Sequence, residues 1–347
     1  MIKHQFLNWM AQNTKSCWCN DSAVISELND ALESGAIGCT SNPPLTYEAL
    51  TRDGERYTQA VAAISPKLKG DDRIVELLGV VVRNFSQRLM PLYESSNGEY
   101  GYIRSQVQPK ISNNAAAMYR QGRQIATFGP NVMVKIPGTG EGMQVLEELA
   151  ADGIPTNPTV CPSVSQIVAA AEAHERGIAR ARAVGKTPAP STAAIVMGRL
   201  QDYLGALNEE RKAGLTKEEL DLATLAVVKR CHKIVTERGY TQILMPAAFR
   251  AVVHVTGLAG GKVHMTIHPK IQAEINQADA ANPLPRREGI NDPDDQDLLA
   301  KVARALPEFS LAYELDALKP EEFGKFGATV MTLDGFDKTG WQKLATL

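Results

Sequence analysis

The residue with the clearest chemical potential is Lys135, which lies in the otherwise apolar run VMVKIPGT. Such a run is typical of a strand buried on both faces, where a lysine is rarely a casual surface residue. Burial disfavours the ammonium form, lowers the pKa and provides a nucleophilic amine near neutral pH. That amine could form a Schiff base with a carbonyl substrate. The alternative is a lysine at the strand end that reaches solvent or pairs with a carboxylate.

The following predicted strand, in the run TNPTV, carries two polar side chains. Asn157 and Thr159 are two residues apart, so a strand would place both on one face. An amide and a hydroxyl on one face could bind substrate hydroxyls or hold a water molecule. The alternative is turn chemistry around Pro155 and Pro158, which is the favoured interpretation when this segment is taken alone.

Other polar residues interrupt or follow apolar runs near their ends, among them Asn42 and Gln106. Asp21, in CNDSA, could act as a general acid and base or cap the following helix, and on sequence alone the cap is favoured. Arg199, in VMGR, and Arg250, in MPAAFR, would suit a phosphate or another anion. The alternative for the two arginines is a salt bridge across the same face of the protein.

Two further patterns lack the spacing of a known site. The segment PGTGEG matches neither the phosphate-loop consensus nor the dinucleotide-binding consensus, so we interpret it as a tight turn. The six histidines form no H-x-x-H or H-E-x-x-H pattern, and we interpret His264 and His268 as structural. We therefore expect no metal ion and no organic cofactor.

The candidate residues must be positioned by short apolar runs, which alternate with longer amphipathic segments. The predicted strands are SCWCN (16–20), AIGCT (36–40), YIRSQV (102–107), NVMVKI (131–136), IPTNPTV (154–160), TAAIVM (192–197), QILMPA (242–247) and KVHMTI (262–267). This pattern predicts an α/β protein with a closed (β/α)8 TIM barrel rather than an open doubly wound sheet. The carboxyl ends of its strands would form the active site.

Helix signals follow several of these runs. The helix in VSQIVAAAEAHERG would begin at Ser163 or Ser165, and a longer helix would begin at Thr216, with Glu219 three residues on. We expect a single barrel domain over residues 1–347, with a helical insert after the second strand. Residues 283–347 are expected to form a C-terminal helical extension packed on the barrel. A small separate domain is less favoured because the tail is short.

Composition excludes several classes of protein. The 347 residues are 44% hydrophobic and 22% charged, with a net charge of −2, so the chain is globular and has no field that attracts nucleic acid or a membrane. Five cysteines do not make a disulfide framework and are expected to be buried thiols. The N-terminal segment lacks the apolar core of a signal peptide, and no run is long enough to span a bilayer. We expect a soluble, cytoplasmic protein.

The segment VMVKIPGTGEGMQVLEELAADGIPTNPTVCPSVSQIVAAAEA resembles the central block of transaldolases, with a lysine strand, an E-G helix and a G-I-x-x-N-x-T strand. CTSNPPL resembles the T-[ST]-N-P segment of that family, and NDSA resembles the D-T-A end of its first strand. RGYTQILMPAAFR is similar to G-Y-x-T-x-[IV]-M-x-A-S-F-R, and GLAGGKVHMTIHPKI to L-A-G-x-x-x-[LM]-T-I-[ST]-P. The resemblance covers about residues 15–280, and the tail is similar to a transaldolase C-terminal region.

The resemblance implies a class I aldolase barrel in which Lys135 attacks a ketose carbonyl to form an imine. Asp21 would exchange a proton with the hydroxyl of the departing aldehyde, and Thr159 would help to place the water. The residues implied in substrate binding are Asn42 and Asn157 for the dihydroxyacetone unit, with Arg250 and Arg199 for the phosphate.

Five positions depart from the family pattern. Gln106 stands where transaldolases carry a glutamate, and an amide can orient a water but cannot relay its proton. Fructose-6-phosphate aldolases also use a glutamine there, so imine chemistry is compatible with it. Ala194, Val196, Ala248 and Ala251 replace polar or aromatic residues of the pocket, which should change affinity or substrate choice.

The resemblance therefore implies a transaldolase that moves a dihydroxyacetone unit from sedoheptulose 7-phosphate or fructose 6-phosphate to an aldose phosphate, in the pentose phosphate pathway. A fructose-6-phosphate-type aldolase, a lyase, is favoured by Gln106 but not by the valine at position 196, where such a lyase would carry a tyrosine. A non-catalytic sugar-phosphate-binding barrel is the third hypothesis. Barrel enzymes of this type are often homodimers; no nucleic acid or membrane partner is expected.

Overall fold

A computed structural model describes residues 3–347. A parallel strand lies at each of the runs where the sequence predicts one. The strands are β1 Cys17–Asn20, β2 Gly38–Thr40, β3 Tyr102–Gln106, β4 Val132–Pro137, β5 Thr156–Thr159, β6 Thr192–Val196, β7 Ile243–Ala247 and β8 His264–Ile267. The protein is thus an α/β protein, as predicted.

The strands form two parallel sheets, which touch at their edges. The larger sheet has six strands in the order β5-β4-β3-β2-β1-β8, and β6 pairs with β7 in the smaller one. Isolated bridges join the sheets, from Thr156 of β5 to Ser191, from Cys161 to Ile195 of β6 and from Leu244 of β7 to Val263. The six-stranded sheet is therefore curled, with the small sheet between its two edges.

The continuous ladder covers six strands rather than the predicted eight, because prolines interrupt the strands beside the junctions. Pro158 lies within β5 and Pro246 lies within β7, and neither residue has a backbone N–H to donate. At the first junction the N–H of Thr156 donates to the carbonyl oxygen of Pro190 at 3.3 Å. The sheets are consequently linked by isolated bridges there.

Helices connect the strands and fill the remaining chain. The α-helices are α1 Gln5–Asn13, α2 Ile25–Glu33, α3 Pro43–Arg52, α4 Gly54–Ala62, α5 Gly70–Ser95, α6 Ala115–Ala126, α7 Gly140–Ala151, α8 Val164–Ala183, α9 Met197–Arg211, α10 Lys217–Glu237, α11 Val252–Thr256, α12 Pro269–Ala281, α13 Gln296–Ala305, α14 Pro307–Tyr313, α15 Pro320–Phe323, α16 Gly327–Phe336 and α17 Gln342–Leu344. Short 3-10 turns lie at Pro109–Ile111 and Gly289–Asn291, and a π-helical turn lies at Asp337–Trp341.

Local capping explains where two long helices begin. The hydroxyl of Ser163, rather than that of Ser165, accepts a hydrogen bond from the N–H of Gln166 at the start of α8. Thr216 and Glu219 form a reciprocal capping box at the start of α10, as their spacing predicts. Each cap involves residues three apart in the chain, so it can be recognised from the sequence alone.

The C-terminal residues 283–347 contact the helices that surround the sheet. Ser165 in α8 donates a hydrogen bond to the carbonyl oxygen of Leu315 at 2.9 Å. The indole N–H of Trp341 donates to Asp71 of α5 at 2.8 Å. These contacts bring the last helices beside the carboxyl ends of the strands, where the candidate residues lie.

Two expectations from composition can be compared with the structure. All five cysteines are free thiols, but Cys17, the first residue of β1, is partly exposed rather than buried. Among residues 3–347, no helix combines the length and apolarity needed to cross a bilayer.

The junction between β4 and α7 gives a first testable prediction. A Cβ atom at Gly142, in the first turn of α7, would overlap the carbonyl oxygen of Pro137, the last residue of β4. We expect Gly142→Ala to lower the free energy of unfolding by about 1–3 kcal/mol in urea denaturation, because strand and helix must move apart.

Gly205→Ala is the matched control, since Gly205 is also helical, in α9, and its added Cβ would meet no atom within 4 Å. That variant should be stabilised by up to about 1 kcal/mol, because alanine is the better helix former. Equal stability of the two variants would contradict the packing account.

Candidate active site

Lys135 lies near the carboxyl end of β4 and is only 6% exposed. Its Nζ donates a hydrogen bond to the carbonyl oxygen of Ser41 at 3.1 Å. Burial lowers the pKa of Lys135 to about 8; the charge of Asp21 opposes this shift and the charge of Arg104 adds to it. The alternative of a lysine that reaches solvent is therefore wrong, and roughly a tenth of the amine is uncharged at pH 7, far more than for an ordinary lysine.

Two amide side chains flank Lys135 on the neighbouring strands. In the strand register, Gln106 of β3 and Asn157 of β5 stand directly opposite Lys135. Both are completely buried. In the described part of the chain, neither amide atom of Gln106 has a hydrogen-bond partner, and neither does Oδ1 of Asn157. These amides present polar atoms beside the amine.

Asp21 follows β1 and is held by the adjacent strand rather than by a helix. Its Oδ1 accepts a hydrogen bond from the hydroxyl of Thr40 at 2.6 Å, and Thr40 also contacts the hydroxyl of Thr266 at 2.6 Å. Helix α2 begins after Val24 and has no side-chain cap. The favoured sequence interpretation of Asp21 as a helix cap is therefore wrong, because Thr40 on β2 holds its carboxylate.

Asn42 has a structural task that limits its part in any site. Its Oδ1 accepts a hydrogen bond from the N–H of Leu45 at 2.9 Å and so caps α3, with Pro43 at the first helical position. The Nδ2 group of Asn42 makes no hydrogen bond within residues 3–347 and could donate to a ligand. The preceding carbonyl, that of Ser41, is the acceptor for Lys135.

Thr159 is the last residue of β5 and is 1% exposed. Its carbonyl oxygen accepts a hydrogen bond from the N–H of Gly138 at 2.6 Å, just beyond β4. Val160 then takes a left-handed conformation, with φ of 55°. Asn157 and Thr159 thus share one face of a strand, and the alternative interpretation of this segment as a turn is wrong.

Arg199 and Arg250 lie together and share one carboxylate. Arg250 makes a two-pronged ion pair with Asp202 of α9, at 2.9 and 2.6 Å, while a guanidinium nitrogen of Arg199 is 3.7 Å from the same carboxylate. Burial and the neighbouring Arg250 lower the pKa of Arg199. The salt bridge expected as the alternative is therefore formed. Two guanidinium groups beside one carboxylate still leave a net positive charge, which suits a phosphate.

The backbone beside these arginines is tightly packed. A Cβ at Gly198 would overlap the carbonyl oxygen of Ala248 and would lie 2.9 Å from Cζ of Arg250. Ala248 itself has φ of 61°, a conformation that favours glycine. Ala194 and Val196, on β6, are buried next to this junction. Ala248 and Val196, two of the residues that depart from the family pattern, therefore lie beside the segment that carries Arg199.

Arg104, in the middle of β3, is a buried polar residue that the sequence reasoning missed. Its side chain is 2% exposed and lies in the protein interior, where it donates to the hydroxyl of Thr192 at 3.2 Å. A signal exists in the sequence, since Arg104 interrupts a predicted buried strand as Lys135 does. Asp202 was also missed, because nothing local marks its pairing with Arg250.

Comparison with known proteins identifies the class of enzyme. Residues 18–317 match a family model described as Transaldolase/Fructose-6-phosphate aldolase. The chain belongs to this family of enzymes. The matched region includes every candidate residue described above, from Asp21 to Arg250.

Curated relatives are transaldolases at moderate identity. The chain is 31% identical to a transaldolase of Neisseria gonorrhoeae over 195 residues, which are 55% of this chain and 55% of that protein. It is 27% identical to a transaldolase of Thiobacillus denitrificans over 308 residues, which are 85% of this chain and 82% of that protein. It is 32% identical to a transaldolase 2 of Nostoc punctiforme over 181 residues, which are 51% of this chain and 46% of that protein. The first and third matches thus span about half of the relatives' length.

The lowered pKa of Lys135 predicts how stability depends on pH. The folded protein holds this amine with a pKa of about 8, against an ordinary value of 10.5, so protonation of Lys135 opposes folding. Lys135→Met should therefore raise the free energy of unfolding at pH 7 by up to about 3 kcal/mol. The gain should shrink as the pH rises from about 8 to 10.5, because the amine then loses its proton in the unfolded chain as well.

Urea denaturation at pH 7, 8.5 and 10 measures this difference. Other titrating groups are common to both proteins and cancel in it. Lys67→Met, at an exposed position, is the control and should show no such pH-dependent gain. A Lys135→Met protein that is less stable than the parent at pH 7, or a difference independent of pH, would contradict the account.

Proposed function

We propose that this protein is a transaldolase that forms a Schiff base between Lys135 and a ketose phosphate and transfers a dihydroxyacetone unit to an aldose phosphate. The donors would be sedoheptulose 7-phosphate or fructose 6-phosphate, as in the pentose phosphate pathway. The observation that carries the proposal is the buried amine of Lys135, with its lowered pKa, between Gln106 and Asn157. The proposal includes closure of the eight strands into one (β/α)8 barrel, supported by the single bridges between the two sheets.

In the first half of the reaction, the uncharged Nζ of Lys135 attacks the ketone carbon, and the carbinolamine loses water to form a protonated imine. The adjacent carbon–carbon bond then breaks and its electron pair moves toward the iminium, which becomes an enamine. Asp21 takes the proton from the hydroxyl of the departing aldehyde. Its hydrogen bond from Thr40 fixes the carboxylate in place for this transfer.

In the second half, the enamine attacks the carbonyl carbon of an acceptor aldehyde, and Asp21 returns the proton to the new hydroxyl. Water then hydrolyses the imine and releases Lys135. Gln106 and Thr159 would orient the water at the dehydration and hydrolysis steps, since an amide can hold a water but cannot exchange its proton. The free Oδ1 of Asn157 and the Nδ2 of Asn42 would bind hydroxyls of the dihydroxyacetone unit.

Gln106 also supports a second candidate function, a lyase of the fructose-6-phosphate aldolase type. In that reaction the enamine takes a proton at carbon before an acceptor arrives, and water hydrolyses the resulting iminium and releases the three-carbon ketone. The chemistry up to the enamine is the same in both cases. The two functions differ only in the fate of the enamine after cleavage, and adding or omitting an acceptor aldehyde distinguishes them.

Borohydride trapping tests the proposal. The protein is incubated with fructose 6-phosphate or sedoheptulose 7-phosphate, reduced with sodium borohydride and mapped by mass spectrometry. We expect a dihydroxyacetone-sized adduct on Lys135, and none in Lys135→Met. An added aldose phosphate should deplete the adduct in a transaldolase, whereas turnover without an acceptor indicates the lyase.

Asp21→Asn separates imine formation from cleavage. It should trap the intact ketose phosphate on Lys135, while cleavage falls by about 10²–10⁴-fold because no base takes the hydroxyl proton. Asp30→Asn is the control, since Asp30 pairs with Lys3 at the protein surface. If no sugar is trapped by the parent protein, the catalytic proposal fails and the non-catalytic sugar-phosphate binder takes its place.

The two arginines predict how the phosphate is held. Arg250→Gln should raise the KM for a ketose phosphate at least about 10-fold, because a charged hydrogen-bond donor to the phosphate is lost. Imine formation with unphosphorylated dihydroxyacetone should change little. Arg211→Gln is the matched control, since Arg211 also makes a two-pronged ion pair with a carboxylate, that of Glu308. An equal loss with both substrates would argue against a phosphate role.

A further inference from the structure

Arg104 is a buried cation whose contacts are all neutral. Its guanidinium donates to the hydroxyl of Thr192 at 3.2 Å, the carbonyl oxygen of Tyr102 at 3.4 Å and the thiol of Cys19 at 3.6 Å. It is 2% exposed, and within residues 3–347 it forms no ion pair with a carboxylate. Burying an unpaired charge opposes folding, so packing alone gives no reason for an arginine at this position.

Arg104 lies on the same interior face of the sheet as Lys135, two residues before the position on β3 that pairs with Lys135. In the register of β3 and β4, Gln106 is opposite Lys135 and Arg104 is opposite Met133. Residues two apart on a strand share a face and are separated by roughly 7 Å along it. A second positive charge at Lys135 is therefore disfavoured by the one at Arg104, and the pKa of Lys135 is lowered by burial and by this charge.

Among the titratable groups near Arg104 and Lys135, Asp21 carries the negative charge that opposes the lowering of the Lys135 pKa. Around Arg104 lie the thiols of Cys19 on β1 and Cys39 on β2, whose pKa values are raised by burial. His264 on β8 is neutral as well, because burial, with Arg104 contributing, lowers its pKa to about 3. Asp21 raises the pKa of Lys135, but burial and Arg104 keep it below its ordinary value.

Arg104 is also connected to the amide beside Lys135. The hydroxyl oxygen of Thr192 accepts a hydrogen bond from Nε of Arg104 and another from Nδ2 of Asn157 at 2.8 Å. The carbonyl oxygen of Thr192 accepts from the same Nδ2 at 2.5 Å. A carbonyl can only accept, so the nitrogen of Asn157 must face Thr192 and its Oδ1 must face away. That Oδ1 is the buried atom without a partner.

We propose that Arg104 is a positioning residue for the Schiff-base chemistry: its buried charge disfavours protonation of Lys135, and its hydrogen bond to Thr192 fixes Asn157 with Oδ1 toward the substrate. The consequence for catalysis rests on the proposed function. The effect on Lys135 itself is independent of any substrate, so it can be measured even if the protein has another activity.

The test is a carbon NMR titration of protein labelled with 13C at the lysine Cε, from pH 6 to 11, with Lys135→Met used to assign the resonance. The parent protein should show a midpoint near 8 for Lys135. Arg104→Met, similar in volume but uncharged, should raise that midpoint by about one pH unit. Arg104→Lys and Thr192→Val retain the charge and should stay within a few tenths of the parent midpoint.

Kinetics with a ketose phosphate test the second part of the proposal. Thr192→Val should raise KM or lower kcat by up to about 10-fold, with the Lys135 midpoint unchanged. Nδ2 of Asn157 then keeps only the backbone carbonyl of residue 192 as its oxygen acceptor, so Oδ1 is held less firmly. An unchanged midpoint in Arg104→Met would overturn the electrostatic role, and unchanged kinetics in Thr192→Val would overturn the orienting role. If Arg104→Met does not fold, Arg104→Gln takes its place in the same comparison with Arg104→Lys.

A purely structural role predicts a different set of results. Arg104→Met would then lose thermal stability and leave the Lys135 midpoint where it is. Our account predicts the reverse, with stability equal to or above that of the parent and a raised midpoint. If the parent protein traps no sugar but the midpoint still moves, the proposed function fails while the effect of Arg104 on Lys135 stands.

Discussion

The amine of Lys135 is removed from water and donates its hydrogen bond to a single backbone carbonyl, that of Ser41. An ammonium in this position is costly, and the fold offsets only part of the cost through the charge of Asp21. Loss of the proton removes this unfavourable free energy of burying a charge, and the uncharged amine that results is a nucleophile. Burial in strand β4 thus makes the ammonium form of Lys135 costly and favours the uncharged amine.

The candidate site as a whole carries an excess of positive charge. Arg199 and Arg250 share the one carboxylate of Asp202, and Arg104 has none in the described structure. A negatively charged substrate would neutralise this excess on binding, which gives a physical reason for a phosphorylated sugar. Of these three arginines, only Arg104 contributes to the lowered pKa of Lys135, and burial is the larger cause.

Features coded by local sequence can be predicted, and those coded by distant contacts cannot. The strand runs and the cap at Ser163 depend on neighbours in sequence, and Lys135 is marked by its apolar surroundings. The sequence favours a helix cap for Asp21 because its true partner, Thr40, lies on another strand. The pairing of Asp202 and the isolated bridges at the sheet edges likewise arise from residues brought together only by folding.

The most direct test of the central claim is the pH dependence of imine formation. The rate at which borohydride traps dihydroxyacetone on Lys135 is measured from pH 6 to 10.5, with Lys135→Met as the blank. We expect the rate to rise with pH and level off above about 8, where the amine has lost its proton. A rate that keeps rising about tenfold per pH unit through pH 10 would indicate an ordinary lysine and contradict the account.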